Sequence, residues 1–164
     1  NLCRSTRIFS EVKIVEIYTK SANETISLGK KVGELLSPGD VVLLDGDLGA
    51  GKTTLTKGIG DALGVFRTIN SPTFTIMKMY EGKYPLYHMD LYRLNGSGMD
   101  FDLEEYIFGD GVAVIEWPHQ AFDLLPDEYL LVEIFRTSDE GRKIVISAKG
   151  NRYNQIMEAL LWEA

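Results

Sequence analysis

The chain has 164 residues, 45% of them hydrophobic and 25% charged, with 24 acidic against 17 basic side chains and a net charge of −7. That length suits one domain burying roughly two-thirds of its unfolded surface, so no metal or disulfide staple is required, and the single cysteine, Cys3, excludes an intrachain disulfide. The acidic balance, without a dense Lys/Arg stripe, argues against autonomous nucleic-acid binding, and no apolar run approaches the ~20 residues of a membrane-spanning helix, so we expect a cytoplasmic protein.

Residues 1–11 read as a disordered N-terminal extension and 12–164 as one domain. Val12–Tyr18 alternates as a strand does, and Ser21-x-x-Glu24 is a capping box before a helix that aligns Leu28, Val32, Leu35 and Leu36 on one face. Ser37-Pro-Gly-Asp40 ends that helix, and Val41-Val-Leu-Leu44 is a short apolar run suited to a buried parallel strand.

Next comes Gly46-Asp47-Leu48-Gly49-Ala50-Gly51-Lys52-Thr53-Thr54, which fits the phosphate-binding pattern G-x-x-x-x-G-K-[ST]. Leu55, Ile59, Ala62 and Leu63 follow at helical spacing, so the loop joins a strand to a helix, the context in which the pattern carries chemistry. Gly46 and Gly51 allow close backbone approach, successive N–H groups point at an anion at the helix start, Lys52 adds a positive charge, and the Thr53 hydroxyl suits magnesium.

After Gly64, the β-rich segments Thr73–Tyr80 and Tyr84–Met89, separated by Glu81-Gly-Lys83, predict a hairpin. Asn95–Met99 reads as a flexible loop, Asp102-x-x-Glu105 as a second capping box, and Val112–Ile115 as a buried strand. Strands over Tyr129–Phe135 and Lys143–Ala148 precede a C-terminal helix with Tyr153, Ile156, Met157, Leu160 and Leu161 on one face. The mixture predicts an α/β, three-layer P-loop NTPase fold, with a partly parallel sheet and an antiparallel hairpin.

A phosphate loop needs carboxylates for magnesium and its waters. Glu116 closes the run Val112–Ile115 in the manner of a Walker B acid, and Asp90 closes Leu86–Met89; both fall where an open sheet presents ligands. Ser71-Pro72-Thr73-Phe74 lies where a nucleotide-sensing segment returns over the γ-phosphate, with Thr73 in reach of metal or phosphate. His88 alternates with Asp90, Arg93 is the only arginine expected near the site, and Trp117 fixes an aromatic beside Glu116.

Together the phosphate loop, Ser71-Pro-Thr-Phe74, His88-Met-Asp-Leu-Tyr-Arg93 and Ile115-Glu-Trp-Pro118 resemble the TsaE (YjeE) family over roughly Glu24–Pro118. The resemblance implies a small bacterial ATPase required for threonylcarbamoyladenosine formation on tRNA, working with TsaB and TsaD and meeting tRNA only through their complex. It implies ATP or ADP in the loop from Gly46 to Thr54, with Lys52 on phosphate and magnesium on Thr53 and Glu116. Thr73 and Asp90 would complete the catalytic region. Two other readings share the loop: a small-molecule kinase, although Asn95–Met99 carries no basic residue for a lid, and a nucleotide-dependent scaffold without required turnover. A GTPase switch is disfavoured because no Asn/Thr-Lys-x-Asp guanine-reading sequence follows the hairpin.

Overall fold

The computed structural model describes residues 3–9, 12–47, 49–71, 77–91, 103–117 and 125–162, with side chains from residue 13 onward. Its strands are β1 (Cys3–Phe9), β2 (Val12–Thr19), β3 (Val41–Gly46), β4 (Met77–Tyr80), β5 (Leu86–Asp90), β6 (Val112–Glu116), β7 (Tyr129–Arg136) and β8 (Arg142–Lys149). Its helices are α1 (Ala22–Glu34), α2 (Lys52–Ala62), α3 (Leu103–Ile107) and α4 (Asn151–Trp162).

One eight-stranded sheet runs β1-β2-β8-β7-β3-β6-β5-β4. The four central strands β7, β3, β6 and β5 are mutually parallel, and antiparallel strands flank them on both sides. β3 and β6 are buried at every core-facing position on both faces, which explains why they read as continuous apolar runs. One face packs Val42, Leu44, Val114 and Val132 against Leu28 and Val32 of α1, Leu55 and Ile59 of α2, and Ile156 and Met157 of α4. The other face packs Leu43, Met89 and Ile115 against Leu103 and Ile107 of α3, completing the three layers of a P-loop NTPase fold.

Residues 3–9, expected to be disordered, instead form an edge strand. The register Phe9↔Val12 leaves two residues between β1 and β2, the length of a tight hairpin. Arg4, Ser5 and Arg7 masked the β-forming character of Thr6, Ile8 and Phe9, because an edge strand needs no apolar run. The expected hairpin pairs Tyr80 with Leu86, and its first strand is described from Met77. Thr73, and Asp102 of the second capping box, lie outside the described residues.

Ser21 caps α1 by accepting from the Glu24 amide at 3.2 Å, while the Glu24 carboxylate accepts from Lys20 rather than from Ser21. The box is therefore displaced by one residue at its second contact. α1 and α2 pack with backbones nearly touching: a Cβ on Gly58 would overlap the Ile26 carbonyl oxygen, and one on Gly29 the Leu55 carbonyl oxygen. α4 is tied to the start of β3. The Val41 amide donates to the Tyr153 hydroxyl at 2.8 Å, and Arg152 donates to Asp40 and to the Leu35 carbonyl.

Candidate functional site

The carboxyl ends of β3, β6 and β5 lie side by side, with Leu44 paired to Glu116 and Glu116 to Asp90. Parallel pairing points aligned residues to the same face, so both acids project toward the α2 side of the sheet. The Gly46–Thr54 segment leaves β3 at this edge and enters α2 at Lys52. Lys52, Thr53, Asp90 and Glu116 thus converge on one edge although Lys52 and Asp90 are 38 positions apart in the chain.

The loop backbone explains its glycines. Gly51 caps α2 at φ +113° with no side-chain hydrogen bond, leaving the first amides of the helix to other partners. At Gly46 (φ +152°) a Cβ would stand 2.7 Å from the Ile134 carbonyl oxygen of β7. The Ala50 amide closes the turn on the Asp47 carbonyl at 3.0 Å. Leu48 lies outside the described residues; Gly49 is exposed and Thr54 half-buried in the first turn of α2.

Lys52 is buried, and its ammonium donates to the Gly46 carbonyl at 2.7 Å while standing 3.7 Å from the centre of the Trp117 ring. Burial pushes its pKa below the ordinary lysine range; Glu116, Asp90, Asp45 and Asp47 act in the opposite direction. Trp117 adopts φ +57°, a conformation costing a non-glycine residue roughly 1–2 kcal/mol, and its amide donates to the Leu44 carbonyl. That turn out of β6 carries the ring over Lys52.

The Thr53 and Ser71 hydroxyls are 2.5 Å apart, which brings the start of the Ser71–Phe74 motif to the first turn of α2. Thr73 and Arg93 lie outside the described residues. Glu116 is buried and accepts a hydrogen bond from Nε2 of His88, a side chain with no exposed surface.

Arg142, at the start of β8, was not anticipated. Its Nε donates to the Ala50 carbonyl at 2.6 Å, and Nη1 donates to the carbonyls of Ser138, Asp139 and Gly141 at 3.0, 3.2 and 2.7 Å. This corrects the expectation that Arg93 is the only arginine near the loop. No local motif marks Arg142: β7 runs parallel to β3 and β8 returns antiparallel, so only the sheet order brings their turn beside the loop.

The donor set can be weighed against a metal. Among the described residues no three His, Cys, Asp or Glu side chains are grouped to hold an ion. A hydroxyl and a carboxylate, Thr53 and Glu116, instead suit a cation held chiefly by phosphate and water, as magnesium is. Four carboxylates act on the single Lys52, a local excess of negative charge that a divalent cation would offset. Among the described residues no helix is long and apolar enough to cross a membrane.

The chain is similar to known proteins over most of its length. The family model described as "Threonylcarbamoyl adenosine biosynthesis protein TsaE" matches residues 19–144. The tRNA threonylcarbamoyladenosine biosynthesis protein TsaE of Bacillus subtilis is 48% identical over 143 residues, covering 87% of this chain and 90% of that protein. Its namesake from Treponema pallidum is 40% identical over 131 residues, covering 79% and 97% respectively. The crystal structure of YdiB from Bacillus subtilis superposes with a TM-score of 0.80 at 42% identity, covering 93% of this chain and 97% of that one.

Proposed function

This chain belongs to the TsaE family of tRNA threonylcarbamoyladenosine biosynthesis, and from that membership we propose that it is a magnesium-dependent ATPase acting on a TsaB–TsaD complex. The observation that carries the reading is the convergence of Lys52 and Thr53, at the first turn of α2, with Glu116 and Asp90 at the ends of adjacent parallel strands. ATP lies with its phosphates in the Gly46–Thr54 loop, where helix-start amides and Lys52 meet the charge that develops on the γ-phosphoryl group. To do so, Lys52 exchanges the Gly46 carbonyl and the Trp117 ring for phosphate oxygens.

Thr53 and Glu116 are the residues that would hold magnesium, which when bound neutralises phosphate charge and orients the transferring group. Asp90 and Glu116 are the groups able to orient the attacking water, with Thr73 completing the region. Arg142 is engaged by four backbone carbonyls, which commits it to bracing the loop and the β7–β8 turn rather than to transition-state charge. Turnover by the chain alone is accordingly slow, and docking on TsaB and TsaD raises it. The net charge of −7 fits a protein that meets tRNA only through that complex.

Steady-state phosphate release, with TsaB and TsaD added singly and together, tests the reading. The expected rate for the chain alone is about 10⁻⁴–10⁻² s⁻¹, rising roughly 10³-fold with both partners and vanishing in Lys52→Ala. A fast rate from the chain alone, indifferent to both partners, would overturn it in favour of a self-sufficient ATPase or a kinase.

A further inference from the structure

We propose that His88 is a positioning residue for Glu116: its imidazole fixes one carboxylate oxygen so that the other is presented to the metal and its water. The inference rests on the ATPase reading above and adds to it a residue on a different strand. His88 lies on β5 opposite Val114 of β6, two residues before the Asp90–Glu116 pair, so its side chain reaches Glu116 diagonally across the strand pair. The Nε2 nitrogen meets Oε2 of Glu116 in a buried contact, and a ring nitrogen facing a carboxylate acts as donor.

Two observations separate this from ordinary packing. His88 occupies the core face of β5 that also carries the wholly buried Leu86, opposite the wholly buried Val114 of β6, among aliphatic neighbours that call for no polar group. Its Nδ1 is buried with no hydrogen-bond partner among the described residues, a penalty an apolar side chain would not incur. Among the described residues the imidazole's one polar contact is therefore with Glu116. A glutamate at a strand end has three rotatable side-chain bonds; committing Oε2 to His88 removes most of that freedom and leaves Oε1 as the oxygen for a cation. Lys52 lies within electrostatic reach of the same carboxylate, so Glu116 is held between a fixed donor beneath and the phosphate loop above. Hydrogen-bonded supports of metal-binding carboxylates are typically worth 10- to 100-fold in metal affinity or activity.

The test uses His88→Leu, which removes the donor, and His88→Gln, whose amide nitrogen can replace Nε2. Calorimetric titration of magnesium into protein saturated with a non-hydrolysable ATP analogue should show affinity weakened roughly 10-fold or more in His88→Leu and largely restored in His88→Gln. In phosphate release with TsaB and TsaD present, kcat should fall about as far, while the KM for ATP stays within about twofold. In a Glu116→Ala background, His88→Leu should add no further loss, since a residue acting through Glu116 has nothing left to position. Circular dichroism melts establish that each variant is folded. Unchanged magnesium affinity in folded His88→Leu, or losses that multiply with those of Glu116→Ala, would overturn the proposal while leaving the ATPase reading intact. Wild-type behaviour of Glu116→Ala would overturn the metal role of Glu116 and the proposal with it.

Discussion

Replacing Arg142 with alanine removes four hydrogen bonds at once, and the structure indicates how the loss divides. Three of them, to Ser138, Asp139 and Gly141, lie within four residues of the arginine, in a hairpin that keeps its full β7–β8 register and the Thr137 amide bond to Gly141. The fourth, to Ala50, spans 92 residues and reaches the phosphate loop itself. A hydrogen bond from a charged donor is worth roughly 1.5–3 kcal/mol. Taken from the closed loop alone, that energy lowers the binding-competent fraction, and apparent affinity falls in proportion, by at most about 10- to 150-fold. We therefore expect Arg142→Ala to weaken ATP binding by one to two orders of magnitude. Arg142→Lys should fall between, since it keeps the charge without the planar fork. Calorimetric titration of Mg·ATP gives the affinities, and hydrogen exchange should show faster exchange of the loop amides in the nucleotide-free variant. Wild-type affinity in a folded Arg142→Ala protein would refute the bracing argument.

Lys52→Ala should cost roughly 1.5–3 kcal/mol of ATP affinity, about 10- to 150-fold, with the fold retained; unaltered binding by equilibrium dialysis would show that the loop lysine does not meet phosphate. Gly58→Ala forces a methyl into the Ile26 carbonyl at the α1–α2 crossing, where only backbone can give way. It should destabilise by about 2 kcal/mol or more, seen as a melting temperature lower by roughly 4–8 °C, and a melt within a degree of wild type would contradict the crossing geometry. Burial raises the Tyr153 pKa to about 12 from 10.0. Its contribution is present below pH 10 and lost as pH rises through 12, a swing of roughly 2–3 kcal/mol. Urea midpoints should therefore fall less between pH 9 and about pH 11.5 in Tyr153→Phe than in wild type, and identical slopes would reject the assignment.

The parts of the molecule legible in the sequence are those written locally. Val41–Leu44, the glycine-bracketed loop and the helical spacing from Leu55 to Leu63 lie in one continuous segment, so β3 and α2 were foreseeable together. The acids Asp90 and Glu116 were legible because each terminates an apolar run. Illegible features depend on which strands become neighbours, and periodicity carries no such information. The His88–Glu116 bond needs β5 beside β6, and the Arg142 brace needs β7 beside β3. β1 escaped because its pairing satisfies backbone groups without an apolar pattern. In the Ser71–Phe74 motif the sequence marks Thr73 as the group that reaches the site, and only the folded chain shows the Ser71 hydroxyl meeting Thr53.

The 92-residue span between Ala50 and Arg142 also bears on how the protein is made. When the phosphate loop emerges from the ribosome, neither β6 nor β7, the two strands that flank β3, has yet been synthesised. A nascent chain can build the α1–α2 helix pair and leave β3 exposed on both edges. The loop acquires its brace only after residue 142 is translated, so its organisation lags the synthesis of Ala50 by 92 residues. A fragment ending before β7 would contain every residue of the phosphate-loop motif and still lack an organised site.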